Sequence, residues 1–269
     1  MRKFLLIALS ALLAGCTVEK IDEHLVVDGW IEDGGYPVVI LTSSVAVVEG
    51  TLDYEQLSNH VLRWATVTLS DGEQTVPLTG MMDERYFPPY IYTTSSMKGQ
   101  AGKSYTLNIK YGKTEASAVT TVPAPQTLTK IEPLESKDGA LITVGFTPQD
   151  GSYYGFFTKR EGKDSTYLMS TYSLVEGSAI PADYESTIFR GFDVMGPGFA
   201  WNFEHGDHVS VRFSTMDAVS YNYWKGLFDE WVFSRDPFFP VRATPASNVV
   251  GGYGCWAGYG STFYEIDIP

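Results

Sequence analysis

The chain is predicted to be mainly β: two β-sandwich domains of the immunoglobulin or fibronectin III kind, the second with one inserted α-helix. Three observations predict this. Apolar and polar residues alternate in run after run, which marks half-buried antiparallel strands. A proline-paired junction, Val122-Pro123-Ala124-Pro125, divides those runs into two sets. One stretch alone exchanges the period of two for a helical one.

In chain order, Arg2 and Lys3 give a short positive start. Residues 4–13 follow as an apolar run in which Ser10 is the only polar member. Ten residues are too few to span a bilayer and fit a secretory signal. Leu13-Ala14-Gly15-Cys16 then has the build of a bacterial lipobox, in which cleavage before the cysteine leaves it as the acylated first residue. Residues 1–15 are therefore read as a lipoprotein signal peptide, Cys16 as the lipidation site, and residues 16–24 as a tether. Two or more acyl chains on one residue give stable anchoring.

Residues 25–122 form the predicted N-terminal sandwich, about the size of one immunoglobulin-like domain. Within it Ala65, Val67 and Leu69 alternate with Thr66, Thr68 and Ser70, and Tyr105, Leu107, Ile109 and Tyr111 with Thr106, Asn108 and Lys110. Asp71-Gly72 supplies a hairpin-type turn. The two prolines of the junction remove backbone donors, so strand pairing should stop there. Residues 126–269 form the predicted C-terminal, β-rich domain. Ile142, Val144 and Phe146 repeat the alternation behind the Asp138-Gly139 turn, as do Val209, Val211 and Phe213. A helix is expected near residues 217–233, with Asp217 as its N-cap and Tyr221, Trp224, Phe228 and Trp231 on one face. Asp236-Pro237 and Pro240 should end it, and residues 263–268 should form a closing strand.

Charge narrows the partners. The whole chain has 19 basic and 32 acidic residues, and losing Arg2 and Lys3 with the signal leaves 17 − 32 = −15. So acidic a surface repels phosphate backbones and anionic headgroups, which argues against nucleic-acid binding and electrostatic membrane docking. The only other cysteine, Cys255, has no partner once Cys16 carries lipid, and its apolar setting predicts a buried structural thiol.

Few residues invite catalysis. Gly102-Lys103-Ser104 resembles the end of a phosphate loop, but strand alternation follows where a helix is required. Residues 252–257 match a dinucleotide fingerprint in letters only, without a βαβ context. Glu204-His205-Gly206-Asp207-His208 is the one cluster with metal-ligand residue types. His205 and His208 are its candidate ligands, but a strand starting at His208 turns residues three apart to opposite sides, and a polar loop with solvated histidines is favoured. No nucleophile elbow or zinc-protease helix occurs, and no cofactor or enzymatic activity is expected. The Gly-aromatic stretch at residues 251–260 offers Tyr253, Trp256 and Tyr259 as candidate binding residues. Aromatics give large contact area at low entropic cost, although the same pattern suits a tight core-crossing turn whose aromatics plug the second domain.

Several of these segments, taken together, resemble a known family. They are Leu25-Val26-Val27-Asp28-Gly29-Trp30-Ile31, the Val122-Pro123-Ala124-Pro125 junction, residues 221–227, and Ser247-Asn248-Val249-Val250-Gly251-Gly252-Tyr253-Gly254. In this order they are similar to a Bacteroidota lipoprotein family catalogued as domain of unknown function 4249. Where that family usually carries an isoleucine-acidic pair, this chain has Val249-Val250. The resemblance implies an outer-membrane lipoprotein, lipid-anchored at the cell surface, whose partner is a TonB-dependent transporter. It implies no catalytic residues. The acids Glu19, Asp22 and Glu23 are loosely similar to the tract that directs such lipoproteins outward. The expected function is thus a non-enzymatic accessory or binding partner of a transporter in nutrient capture. A stand-alone adhesin or glycan-binding protein is the alternative, and a hydrolase with an unrecognised site is third.

Overall fold

In the computed structural model, residues 24–44, 58–171, 173–191, 200–233 and 246–269 are described, with residues 230–233 as backbone alone. Cys16, the rest of the signal and tether up to residue 23, and the proline-bearing segment at 236–245 lie outside the described residues, as does the side chain of Trp231.

The chain is mainly β, with a single α-helix among the described residues. Before the proline junction run β1 (Leu25–Glu32), β2 (Val38–Ser43), β3 (Thr66–Ser70), β4 (Thr75–Met82), β5 (Tyr90–Thr93), β6 (Ser104–Tyr111) and β7 (Thr114–Thr121). After it come β8 (Lys130–Ser136), β9 (Gly139–Phe146), β10 (Tyr153–Arg160), β11 (Leu168–Met169) and β12 (Val175–Glu176). β13 (Tyr184–Ile188), β14 (His208–Met216), helix α1 (Ala218–Phe233) and β15 (Tyr253–Asp267) complete the order.

The alternation seen in the sequence is the alternation of burial. Val67 and Leu69 of β3 and Tyr105, Leu107 and Ile109 of β6 point into one core, while their neighbours face outward. Asp71 shapes the β3–β4 turn by accepting the backbone N–H groups of Glu73 and Gln74 at 3.1 and 2.9 Å. Asp138 stands between β8 and β9, and Gly139, at φ 125°, opens β9. Gly102, at φ 83°, turns the chain into β6, and no helix follows it.

Two sheets result. The larger runs β11-β10-β14-β15-β1-β2-β5-β4-β3-β6-β7, with β12 also on β10, and the smaller is β13-β9-β8. One hydrophobic cluster fills the N-terminal half around Val27, Ile31, Leu69, Leu107 and Trp256. A second lies between β10, β14 and the smaller sheet, around Val144, Phe146, Phe156, Val211 and Phe213.

The two halves are not closed separately. β15 passes between β14 and β1, antiparallel to β14 and parallel to β1, with seven registered pairs from Val26↔Tyr253 to Glu32↔Tyr259. Val249 and Trp256 thereby enter the N-terminal core. The boundary at residues 122–126 ends a run of strands, as the prolines require, but the hydrophobic core and the sheet both cross it. Gly258 and Gly260 allow this crossing: a Cβ at either would collide with the backbone carbonyl of Thr121 or Pro123. Residues 263–268 were expected as a separate closing strand; five of them instead continue β15, because its outer half finds a full antiparallel partner in β14.

Candidate functional site

Side chains alternate across a strand, so the residues between the core positions of β1, β10, β14 and β15 face the other side of the large sheet. On β1 these are Asp28, Trp30 and Glu32; on β15, Cys255, Ala257 and Tyr259. Phe157 of β10 and Arg212 of β14 stand beside them, directly paired in register. Together they floor a pocket of about 280 Å³ at the seam where the two halves share β15 and β1.

Helix α1 walls one side of this pocket. Asp217 begins the helix by accepting the Ser220 N–H at 2.8 Å, and its other carboxylate oxygen accepts the Thr120 hydroxyl of β7 at 3.2 Å. Tyr221, Trp224 and Phe228 pack on Phe157, Met169, Met216 and Tyr259, so the aromatic stripe docks the helix onto the sheet. Tyr223 and Trp224 line the pocket, and the Trp224 indole N–H donates to the Tyr259 hydroxyl at 2.7 Å. Tyr86, from the β4–β5 connection, closes the opposite side with its ring 5.7 Å from Trp30, and Tyr167 completes the far end.

Arg212 is the central polar group. It is 8% exposed, and its guanidinium carbon lies 3.9 Å from the Phe157 ring centroid and 5.2 and 5.6 Å from those of Tyr259 and Tyr167. Such stacking on aromatic faces suits a planar, weakly hydrated cation. Its Nη1 stands 4.0 Å from Glu32 Oε2, which is ion-pair range and too long for a hydrogen bond. Arg212 Nε and Glu32 Oε2 are both buried without a hydrogen-bond partner. Leaving such groups unpaired is costly, and both side chains line the cavity, so an occupant that paired them would gain most.

Asp28 opens into the same cavity. The residue keeps solvent exposure, yet the protein packed around its carboxyl desolvates it and raises its pKa to about 6. Burial also pushes the Tyr223 and Tyr259 hydroxyls and the Cys255 thiol upward, so all three stay protonated at neutral pH. The site thus holds one fixed cation, two carboxyl groups and aromatic walls. It can bind and orient a small polar molecule, but it lacks an activated nucleophile: a raised thiol is the reverse of what Cys255 would need.

The family model described as a domain of unknown function (DUF4249) matches residues 16–265. The chain belongs to this family. No curated protein matches it. Among solved structures it is similar to a chain of a cytokine receptor complex, at 11% identity and a TM-score of 0.26, over 90% of this chain and 96% of that one.

This family member places the residues singled out from sequence in three different settings. Tyr259 is 3% exposed and lines the pocket. Trp256, one strand face away, is fully buried in the N-terminal core, where its indole N–H donates to the Tyr105 carbonyl at 3.1 Å. As a contact residue it is therefore displaced; it fills a core, and that of the first half rather than the second. Tyr253 is 47% exposed at the start of β15, edge-on to His24 with ring centroids 5.1 Å apart. Asn248 latches this segment: its side chain accepts the Trp256 N–H at 2.9 Å and donates to the carbonyls of Trp256 and Val119 at 2.8 and 3.1 Å.

The two histidines part company. His205 Nδ1 pairs with the Pro269 carbonyl at 2.6 Å, while His208 Nδ1 pairs with Asp267 at 2.7 Å. Glu204 and Asp207 both engage Lys163, at 2.6 and 2.7 Å. Ion pairs and, for His205, a backbone carbonyl engage the cluster, and no group of three metal-ligating side chains forms among the described residues.

Arg212, Asp28, Glu32 and Trp30 were not singled out as site residues. A signal for them existed. Arg212 puts a charge inside Val211-Arg212-Phe213, in a strand buried along nearly its whole length, and Asp28-Gly29-Trp30-Ile31-Glu32 sets two acids and a tryptophan on one strand face.

Proposed function

We infer that this chain is a non-enzymatic, lipid-anchored outer-membrane lipoprotein that captures a small ligand in the aromatic pocket and serves a TonB-dependent transporter in nutrient uptake. The carrying observation is Arg212, a cation more than nine-tenths buried, stacked on Phe157, with its Nε unpaired at the wall of a pocket. A purely structural arginine would normally satisfy its donors. The lipobox-like run ending at Cys16 supports the anchor, and the strongly acidic balance supports a protein rather than a nucleic-acid partner. The two-sandwich reading enters here in altered form, as two immunoglobulin-like halves welded by β15, with the pocket at the weld. Raised thiol and phenol groups favour binding over catalysis in this pocket.

The test is recovery of the tagged full-length chain from detergent-solubilised outer membranes, with identification of what accompanies it. The expected result is co-purification of a TonB-dependent transporter, together with an acylated N-terminal Cys16. Cys16→Ser should release the protein into soluble fractions or leave an uncleaved precursor. Recovery of the lipidated chain without any transporter would remove the partner. A membrane-bound chain with an unmodified N-terminus elsewhere would remove the anchor.

A further inference from the structure

The geometry points to a neutral, hydroxyl-rich ring, a sugar residue, as the chemical class this pocket takes; this rests on the reading of the pocket as a ligand site. Three features select it. The first is the pair of unpaired atoms. Arg212 Nε is a donor and Glu32 Oε2 an acceptor, both buried, and the two side chains approach to 4.0 Å. One group that serves both must accept a hydrogen bond from the guanidinium and donate one to the carboxylate. A hydroxyl does this. A carboxylate or phosphate satisfies Arg212 but would be set against Glu32, and an ammonium satisfies Glu32 but would be set against Arg212.

The second feature is the balance of charge. One arginine faces two carboxyl groups, Glu32 and Asp28, so an anionic ligand meets a net opposing field above the Asp28 pKa of about 6.

The third is the wall. Trp30, Tyr86, Tyr167 and Trp224 all line the cavity. The negative face of an aromatic ring attracts the weakly positive C–H face of a sugar, as it does other polarised C–H and N–H edges. The volume of about 280 Å³ is at the low end for a small-molecule site and limits the bound part to one or two rings.

The experiment titrates the full-length, detergent-solubilised chain by tryptophan fluorescence and calorimetry with three probe sets. These are methyl glycosides of glucose, galactose, mannose and N-acetylglucosamine, the hexuronates of glucose and galactose, and the amino acids leucine, phenylalanine and glutamate. At least one neutral glycoside should bind, at least tenfold more tightly than every hexuronate and amino acid. Glu32→Gln and Arg212→Lys should each weaken it at least tenfold with the fold retained by circular dichroism. Should either variant fail to fold, Trp224→Phe and Tyr86→Phe must still change the fluorescence response. A hexuronate or amino acid that binds best, and loses affinity in Arg212→Lys, would overturn the sugar class while leaving the pocket a ligand site. Neutral glycosides that bind equally to all four variants would remove both. Binding by none of the probes would overturn the sugar class, and transporter co-purification would then decide the wider reading on its own.

Discussion

The indole N–H of Trp224 donates to the hydroxyl of Tyr259 at 2.7 Å, and this bond joins helix α1 to the strand that both halves of the molecule share. Tyr259 is 3% exposed and within 5.2 Å of the Arg212 guanidinium carbon, so the same hydroxyphenyl ring also forms the pocket wall. Helix docking and pocket shape are therefore coupled through one side chain.

Tyr259→Phe keeps the ring and removes the acceptor, leaving the Trp224 N–H unpaired. The expected loss of stability is about 1–2 kcal/mol. Denaturant unfolding of Tyr259→Phe, Trp224→Phe and the double variant should return a coupling of about 1 kcal/mol. Strict additivity of the two single changes would show that the bond contributes nothing.

Neighbouring aromatics on β15 should respond in opposite ways. Trp256→Ala empties a fully buried core position and should cost roughly 3–5 kcal/mol. Tyr253→Ala, on an exposed ring, should change stability by less than about 0.5 kcal/mol. Melting curves of the two variants check the contrast, and a mild Trp256→Ala would contradict its place in the N-terminal core.

Asp28 carries a pH signature. Its folded pKa of about 6 exceeds the usual value of about 3.9, so between about pH 4 and pH 6 the folded state binds more protons than the unfolded one. Stability from this group therefore falls as pH rises through that window and stays reduced above it. Asp28→Asn should remove that fall. Its stability advantage over the wild type should grow from about pH 4 to pH 6 and then level off. An advantage that does not vary with pH would place the titration elsewhere.

Cys255 should behave as an inert thiol. Burial raises its pKa and it is 2% exposed, so thiolate and reagent access are both scarce. Maleimide labelling of the native chain should be slow and become fast in denaturant. Full-speed labelling of the folded protein would be incompatible with this environment.

The sequence revealed whatever depended on period and local chemistry. Tyr105, Leu107 and Ile109 alternate in the letters as they do in the core, and Asp217 caps the helix because a short acid before an apolar run does so in most settings. What stayed hidden is non-local. Nothing near Tyr253 announces that β15 will run parallel to β1, since parallel pairing needs a crossover whose length carries no mark in either strand. The pocket depends wholly on that pairing. Asp28 and Tyr259 are more than two hundred positions apart, and Arg212 becomes a site residue only once β14 lies beside β15. The glycines at 258 and 260 permit close backbone approach, and the chain they admit is this one, at Thr121 and Pro123.

The parallel pairing of β1 with β15 also governs how the molecule must be made. Strand β1 is the first of the described strands to be synthesised, yet one of its two sheet neighbours and the Trp256 that plugs its core arrive more than two hundred residues later. Residues 25–122 would meanwhile expose Val27, Ile31 and an open strand edge, the surfaces that lead incomplete chains to aggregate. The native sheet is therefore completed in a late step rather than half by half. A chain truncated before residue 246 should fail to protect the β1 amides from hydrogen exchange, although every residue of the first half is present. Protection of β1 in that fragment would mean the halves assemble independently after all.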